Sequence, residues 1–170
     1  KLGITPSLLL VNKLRKYVKS KDFILWAVKR NGNLLKFASD ELRGDRDVVL
    51  AAVTQNLWAL QFASREIVLE KVQQNGLALQ YASVELKGDG EVVLEAVKQD
   101  VYALQYASPA LKGDKEVVLA AVKQNGFALK FATKFQDDRE IVLAAVKQNG
   151  YALQFASATL RGDREVVLEA

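Results

Sequence analysis

The chain has 170 residues, half of them hydrophobic, and a formal net charge of +4 at pH 7. Cysteine and histidine are absent, which excludes a disulfide framework, a thiolate nucleophile, a zinc finger and histidine-based acid–base chemistry. No apolar run approaches the roughly 20 residues that cross a bilayer, and no signal peptide is visible, so we expect a soluble, cytoplasmic protein. Because methionine is absent too, we interpret the sequence as a segment of a longer chain.

Residues 1–19 predict an amphipathic, basic helix that caps the rest of the chain, with Thr5 as its N-cap and Pro6 at its first position. Residues 1–44 carry ten Lys or Arg against three Asp or Glu, whereas residues 45–170 carry fourteen against seventeen. A cluster without acidic residues is a candidate contact for nucleic acid or an acidic membrane: Lys13, Arg15, Lys16, Lys19 and Lys21. A solvated face on a capping helix explains the same charges, and we favour that interpretation.

The chain from residue 20 to residue 170 is one unit repeated seven times, the last copy being partial. The leucine that ends each Val-Val-Leu-like triplet recurs at spacings of 25, 19, 25, 25, 24 and 25 residues. These leucines are Leu25, Leu50, Leu69, Leu94, Leu119, Leu143 and Leu168. The units span about 20–44, 45–63, 64–88, 89–113, 114–137, 138–162 and 163–170. Such a period predicts stacked units that bury their apolar faces only against their neighbours.

Each unit opens with an amphipathic helix of about three turns. Val118, Ala121 and Val122, for example, recur on one helical face. Every copy begins at a side chain that can cap this helix: Ser20, Asp45, Ser64, Asp89, Asp114, Asp138 and Asp163. An acidic residue follows two positions later in every copy, where it favours the positive end of the helix dipole. The spacing of 19 fits this scheme, because a linker of six residues is missing there and Ser64 replaces the capping aspartate.

A second, shorter helix follows in each unit. Its first residue is Gly150 in one copy and Val101 in another, so we interpret the glycine as optional and not as a residue that supplies a positive φ. The preceding residue is always Asn or Asp: Asn31, Asn56, Asn75, Asp100, Asn125 or Asn149. We predict that this residue is the N-cap of the second helix and that Val101 has a helical φ. A linker of one short helical turn then ends at a glycine, such as Gly44, before the next unit begins.

Two columns of side chains run through the second helices. One is aromatic in every copy and is predicted to belong to the core: Phe37, Phe62, Tyr81, Tyr106, Phe131 and Phe155. The other, the variable column, changes from copy to copy: Asn33, Trp58, Leu77, Tyr102, Phe127 and Tyr151. Large apolar residues at a position that the common fold leaves free indicate a partner-binding surface. Variable packing between units is an equally good interpretation.

Catalysis has no sequence signature here. The carboxylates repeat at helix starts, where capping explains them, and no phosphate-binding loop, nucleophile elbow or metal-spaced cluster occurs. We predict an all-α protein, an α-solenoid of seven helix-turn-helix repeats of 24–25 residues plus an N-terminal helix, with no enzymatic activity, metal or cofactor. The predicted function is a scaffold that binds another protein or spaces domains of a larger one. Binding of nucleic acid or an acidic membrane through the basic N-terminal segment is the alternative.

The pattern DxEVVLxAVxQNGxALxYAS, followed by a charged linker, resembles the short helical repeats of domain of unknown function four-one-one-six. The likeness covers nearly all of residues 20–170 and rests on strings such as DREIVLAAVKQNGYALQFAS at residues 138–157. Members occur as arrays in large proteins of bacteria, including host-manipulating intracellular species, and in some algae. The resemblance implies a modular fold, adds secretion into a host cell as an alternative location, and supplies no catalytic residues. The chain departs from the pattern at the missing linker after Ser64, at the shortened linker of residues 134–137, and at Leu57 and Val101.

Overall fold

The structure, a computed structural model, describes residues 17–170. Within that range the regular elements are α-helices and 3-10 helices only, which confirms the all-α prediction. The α-helices are α1 Lys21–Val28, α2 Asp40–Arg43, α3 Arg46–Gln55, α4 Arg65–Gln74, α5 Gly90–Gln99, α6 Pro109–Lys112, α7 Lys115–Gln124, α8 Arg139–Gln148, α9 Ala158–Arg161 and α10 Arg164–Leu168. The 3-10 helices are η1 Gly32–Phe37, η2 Leu57–Phe62, η3 Gly76–Tyr81, η4 Leu86–Gly88, η5 Val101–Tyr106, η6 Gly126–Lys130, η7 Thr133–Phe135 and η8 Gly150–Phe155. The predicted helix over residues 1–19 lies almost wholly outside the described residues.

The long helices begin where the sequence predicts. The side chains of five aspartates each accept hydrogen bonds of 2.9–3.2 Å from the backbone N–H groups two and three residues further on. These capping residues are Asp45, Asp89, Asp114, Asp138 and Asp163. Ser20 caps α1 in the same way, through the N–H of Phe23 at 3.4 Å. The caps satisfy donors that have no partner within the helix.

The second helix of each unit is a 3-10 helix and not an α-helix. Five or six residues give room for only a few hydrogen bonds, and short segments of this kind commonly tighten to i→i+3 bonding. The predicted Asn or Asp caps are confirmed, because each side chain accepts a bond of 2.8–3.0 Å from the N–H two residues on. At η5, Asp100 caps through the N–H of Tyr102 at 2.8 Å. No described residue has a positive φ, so the prediction for Val101 is confirmed.

The described chain divides into two compact units. The first ends at Val68 and also contains Tyr81–Ser83, and the second comprises Leu69–Gln80 and Val84–Ala170. The boundary falls inside α4, in the repeat that follows the missing linker. In each unit the fully buried side chains come from the inward faces of the long helices and from the leucines of 3-10 helices η1, η3, η5 and η6. They include Ile24, Leu35 and Val48 in the first unit and Leu79, Leu104, Leu129 and Ile141 in the second.

Glycines let neighbouring repeats approach closely. A Cβ atom placed on Gly126 would overlap the carbonyl oxygen of Ala145 in the long helix of the next repeat. Three further pairs repeat this contact: Gly32 with Ala52, Gly76 with Ala96, and Gly150 with Ala170. The interpretation of this glycine as optional is therefore wrong at these four positions. Its φ is ordinary, and the requirement comes from the absence of a side chain at a helix-to-helix contact.

Two further kinds of contact join successive repeats within a unit. A serine at the start of the linker donates its backbone N–H to a carbonyl in or beside the preceding repeat's linker. These bonds join Ser39 to Val18, Ser64 to Arg43, Ser108 to Lys87 and Ser157 to Gln136, at 2.6–2.9 Å. Ion pairs join the first residue of one long helix to the capping aspartate and the following acid of the next. They join Lys21 to Asp45 and Asp47, Lys115 to Asp138 and Glu140, and Arg139 to Asp163 and Glu165.

Candidate functional site

The side chains of the variable column are partly buried and partly exposed. The exposed fraction is 53% for Trp58, 48% for Tyr102 and 77% for Tyr151. Asn33, Leu77 and Phe127 are half-buried. Aromatic side chains with this much exposed area are typical of surfaces that bind other molecules.

Three of the aromatic rings in the column, those of Trp58, Tyr102 and Phe127, pack against an aromatic ring of the next repeat. Trp58 meets the ring of Tyr81 edge-on, with centroids 5.2 Å apart and an interplanar angle of 88°. Two further pairs have the same tilted geometry at 5.7 Å: Tyr102 with Phe131, and Phe127 with Phe155. At the first repeat the amide of Asn56 donates to Asn33 at 3.1 Å. The column therefore combines both features: one edge of a ring packs against the next repeat, and the rest of the ring is exposed.

Local structure fixes the backbone position of the column residues. Each column residue is the second residue of a 3-10 helix, and its N–H is bonded to the capping Asn or Asp. The alanine that follows it in η2, η5, η6 and η8 is fully buried, as at Ala103. A bonded N–H on one side and a buried neighbour on the other hold the backbone of each column residue at the edge of the core.

The family known as Domain of unknown function (DUF4116) matches this chain over five overlapping segments, residues 20–65, 64–112, 89–136, 114–161 and 138–170. Together these segments cover residues 20–170, well over half of the sequence. The chain belongs to the DUF4116 family. The resemblance seen in the repeat pattern is therefore confirmed. No curated protein and no solved structure matches the chain.

One exposed aromatic of this DUF4116 array lies outside the predicted column. Trp26 in α1 is 43% exposed and stacks on Phe23 with ring centroids 5.6 Å apart. The guanidinium of Arg30 lies 4.0 Å from the ring centroid of Trp26. The other repeats have Ala or Glu at the position of Trp26, as at Ala51 and Glu95. That departure from the repeat is the signal in the sequence that distinguishes Trp26.

The basic cluster is only partly within the described residues of this array. Lys13, Arg15 and Lys16 lie outside them, and Lys19 is exposed. Lys21 binds Asp45 at 2.8 Å and Asp47 at 2.9 Å. Those two hydrogen bonds raise the pKa of Lys21, and the bond from Lys21 lowers the pKa of Asp45. The charge of Lys21 is thus balanced within the repeat array, which weakens its assignment as an anion contact.

Residues 17–170 lack the features of a metal site and of a membrane span. That part of the DUF4116 chain contains no cluster of three or more His, Cys, Asp or Glu side chains arranged to hold a metal ion. None of its helices combines the length and the apolar character that a bilayer crossing demands.

Proposed function

We propose that this DUF4116 array is a non-catalytic helical-repeat scaffold that binds a partner protein. The observation that supports it best is the variable column of the second unit. There Tyr102, Phe127 and Tyr151 occupy the same place in three successive repeats, and the first and last of them are about half exposed or more. Spacing of other domains within a larger protein is compatible with the same repeat architecture.

The chemistry of the column suits a protein partner. Tyrosine and tryptophan are enriched where proteins bind one another, because they offer a large apolar area together with a polar atom. Ordering them costs little here, since tilted packing against Phe131 and Phe155 already restricts two of the three rings. A repeated backbone with a changing side chain also allows different contacts at each repeat, which is how solenoids gain specificity.

Alanine substitution of the exposed rings tests the proposal. The triple variant Trp58→Ala, Tyr102→Ala and Tyr151→Ala serves as bait beside the unaltered chain, and captured proteins are quantified by mass spectrometry. Val84→Ala is the matched control, because Val84 is 79% exposed and lies outside the column. We expect a defined set of proteins to be retained by the unaltered chain and by the control and to be lost from the triple variant.

Two results would overturn this proposal. Equal capture by all three baits would show that the column does not bind a partner. A large fall in the melting temperature of the triple variant, without any selective loss of captured proteins, would assign the rings to packing between repeats alone.

A further inference from the structure

The linker of the fifth repeat differs from those of the fourth and sixth repeats. Before the linker, Ala107 and Ala156 have ψ angles of 154° and 159°, whereas the equivalent Ala132 has ψ 56°. The chain then forms the 3-10 turn η7 where the neighbouring repeats form the α-helical turns α6 and α9. A repeat array is expected to deviate from its pattern where a position has a task of its own.

This departure removes one of the bonds that join neighbouring linkers. At other junctions Ser108 donates its N–H to Lys87 and Ser157 to Gln136. Thr133 stands at the equivalent position, and among the backbone bonds of residues 17–170 none joins its N–H to the preceding linker. A groove of about 440 Å³ lies between residues 109–113 and residues 131–134.

Three lysines and no carboxylate line this groove, which we call the lysine groove: Lys112, Lys130 and Lys134. Lys112 Nζ donates to the carbonyl of Gln105 at 3.1 Å, and Lys134 Nζ donates to that of Gly113 at 3.4 Å. An ammonium has three donors, so most of this bonding capacity is unused. Within the described residues, none of the three lysines forms an ion pair.

The third lysine is itself a departure from the repeat. Lys130 replaces a glutamine that four other repeats carry: Gln61, Gln80, Gln105 and Gln154. Its ammonium lies 5.8 Å from the ring centroid of Tyr102 and 5.6 Å from that of Phe131. The lysine therefore places a cation between the exposed aromatic of the fourth repeat and the groove of the fifth.

We propose that the lysine groove binds an acidic peptide segment of a partner protein. Three uncompensated ammonium groups around one groove attract an anion, and carboxylates on a short peptide can reach each of them in turn. This inference shares with the proposed function only the assumption of a protein partner. The groove and the variable column use different side chains, so each can fail alone.

The same observations disfavour nucleic acid as the occupant. The second unit carries 12 Lys or Arg against 14 Asp or Glu, so a polyanion longer than the groove meets an excess of acidic residues in the rest of the unit. Single-stranded nucleic acid also depends on bases stacking on open aromatic faces. Here the Lys130 ammonium lies over the rings of Tyr102 and Phe131. A short acidic segment needs neither extended positive charge nor a free ring face.

Fluorescence anisotropy with a labelled hexaglutamate peptide tests the inference, with hexaglutamine as the uncharged control peptide. The variant is Lys112→Gln, Lys130→Gln and Lys134→Gln, in which the change at 130 introduces the residue of four other repeats. Lys123→Gln is the matched control, since Lys123 is exposed and does not line the groove. We expect hexaglutamate to bind at low salt and added salt to weaken the complex. The triple variant is expected to reduce affinity about tenfold, at two- to threefold for each exposed charge pair, and Lys123→Gln to change it less than twofold.

Circular dichroism of the triple variant verifies that it is folded. Absence of hexaglutamate binding at low salt, or equal binding by the triple variant and the unaltered chain, would refute the inference. A labelled thymidine oligonucleotide that binds more tightly than the peptide and is lost in the triple variant would assign the groove to nucleic acid instead. If the capture experiment at the variable column fails, each outcome of the peptide-binding experiment can still be interpreted.

Discussion

Replacing Gly126 by alanine tests how the repeats are joined. The new Cβ would overlap the carbonyl oxygen of Ala145 and would lie 3.2 Å from Gln148 Oε1, the atom that accepts a 2.5 Å hydrogen bond from the N–H of Gly126. A backbone carbonyl inside α8 cannot turn aside, so the repeats must separate. Overpacking of this kind costs about 1–3 kcal/mol, and weakening the hydrogen bond adds about 1 kcal/mol. Alanine has less conformational entropy than glycine in the unfolded chain, which offsets this loss by about 0.5–1 kcal/mol.

The expected net loss is about 1–3 kcal/mol, which for a chain of this length lowers Tm by about 3–10 °C. Urea unfolding and thermal melts followed by circular dichroism measure both quantities. Gly90→Ala is the matched control, because a Cβ on Gly90 meets no atom within 4 Å. That variant should be as stable as the unaltered chain or slightly more stable. If Gly126→Ala matches Gly90→Ala in stability, the close contact between repeats has no energetic role and the reasoning fails.

Three further predictions follow from the contacts between repeats. Gly90→Lys places a cation at the position that Lys115 occupies one repeat later, so pairing with Asp114 should raise Tm by about 1–3 °C over Gly90→Ala. The gain should be lost in about 0.5 M salt, where the Debye length falls to about 4–5 Å and screens exposed charge pairs. Lys115→Gln should lower Tm by a similar amount at pH 7, measured by thermal melts. Because Lys115 lowers the pKa of Asp138 below its ordinary 3.8, the stabilisation is present above that pH and is lost as the pH falls through the lower folded value, so the difference in Tm between the two chains should shrink as the pH is lowered below 3.8. Val101→Gly should destabilise by about 2 kcal/mol in urea, since the valine is buried and only 7% exposed.

Local chemistry made much of the fold predictable. Capping depends on a residue and the two or three that follow it, so Asp114 and Asp100 could be assigned from the sequence alone. The helical φ of Val101 followed from the same reasoning. The 3-10 geometry of the second helices did not, because the repeat pattern of a five- or six-residue segment fits either kind of helix.

Contacts between repeats were harder to predict from the sequence. The overlap that forbids a side chain at Gly126 depends on the distance to Ala145 in another repeat, and that distance has no local signature. The variable column stands out in the sequence because its residues differ from copy to copy, but its division into a packed edge and an exposed face required the positions of Tyr81 and Phe131. The lysine groove depends on a backbone change at Ala132, just before a linker that is shorter by one residue.

Site-specific photo-crosslinking tests the central claim, that the exposed face of the variable column binds a protein. A benzophenone amino acid replaces Tyr151, the most exposed ring of the column, and in a parallel sample it replaces the exposed Lys123, which lies outside the column. Both proteins are irradiated in lysate, and crosslinked products are separated and identified. We expect discrete adducts with a protein at position 151 that are absent at position 123. The same adducts at both positions, or none at position 151, would contradict it.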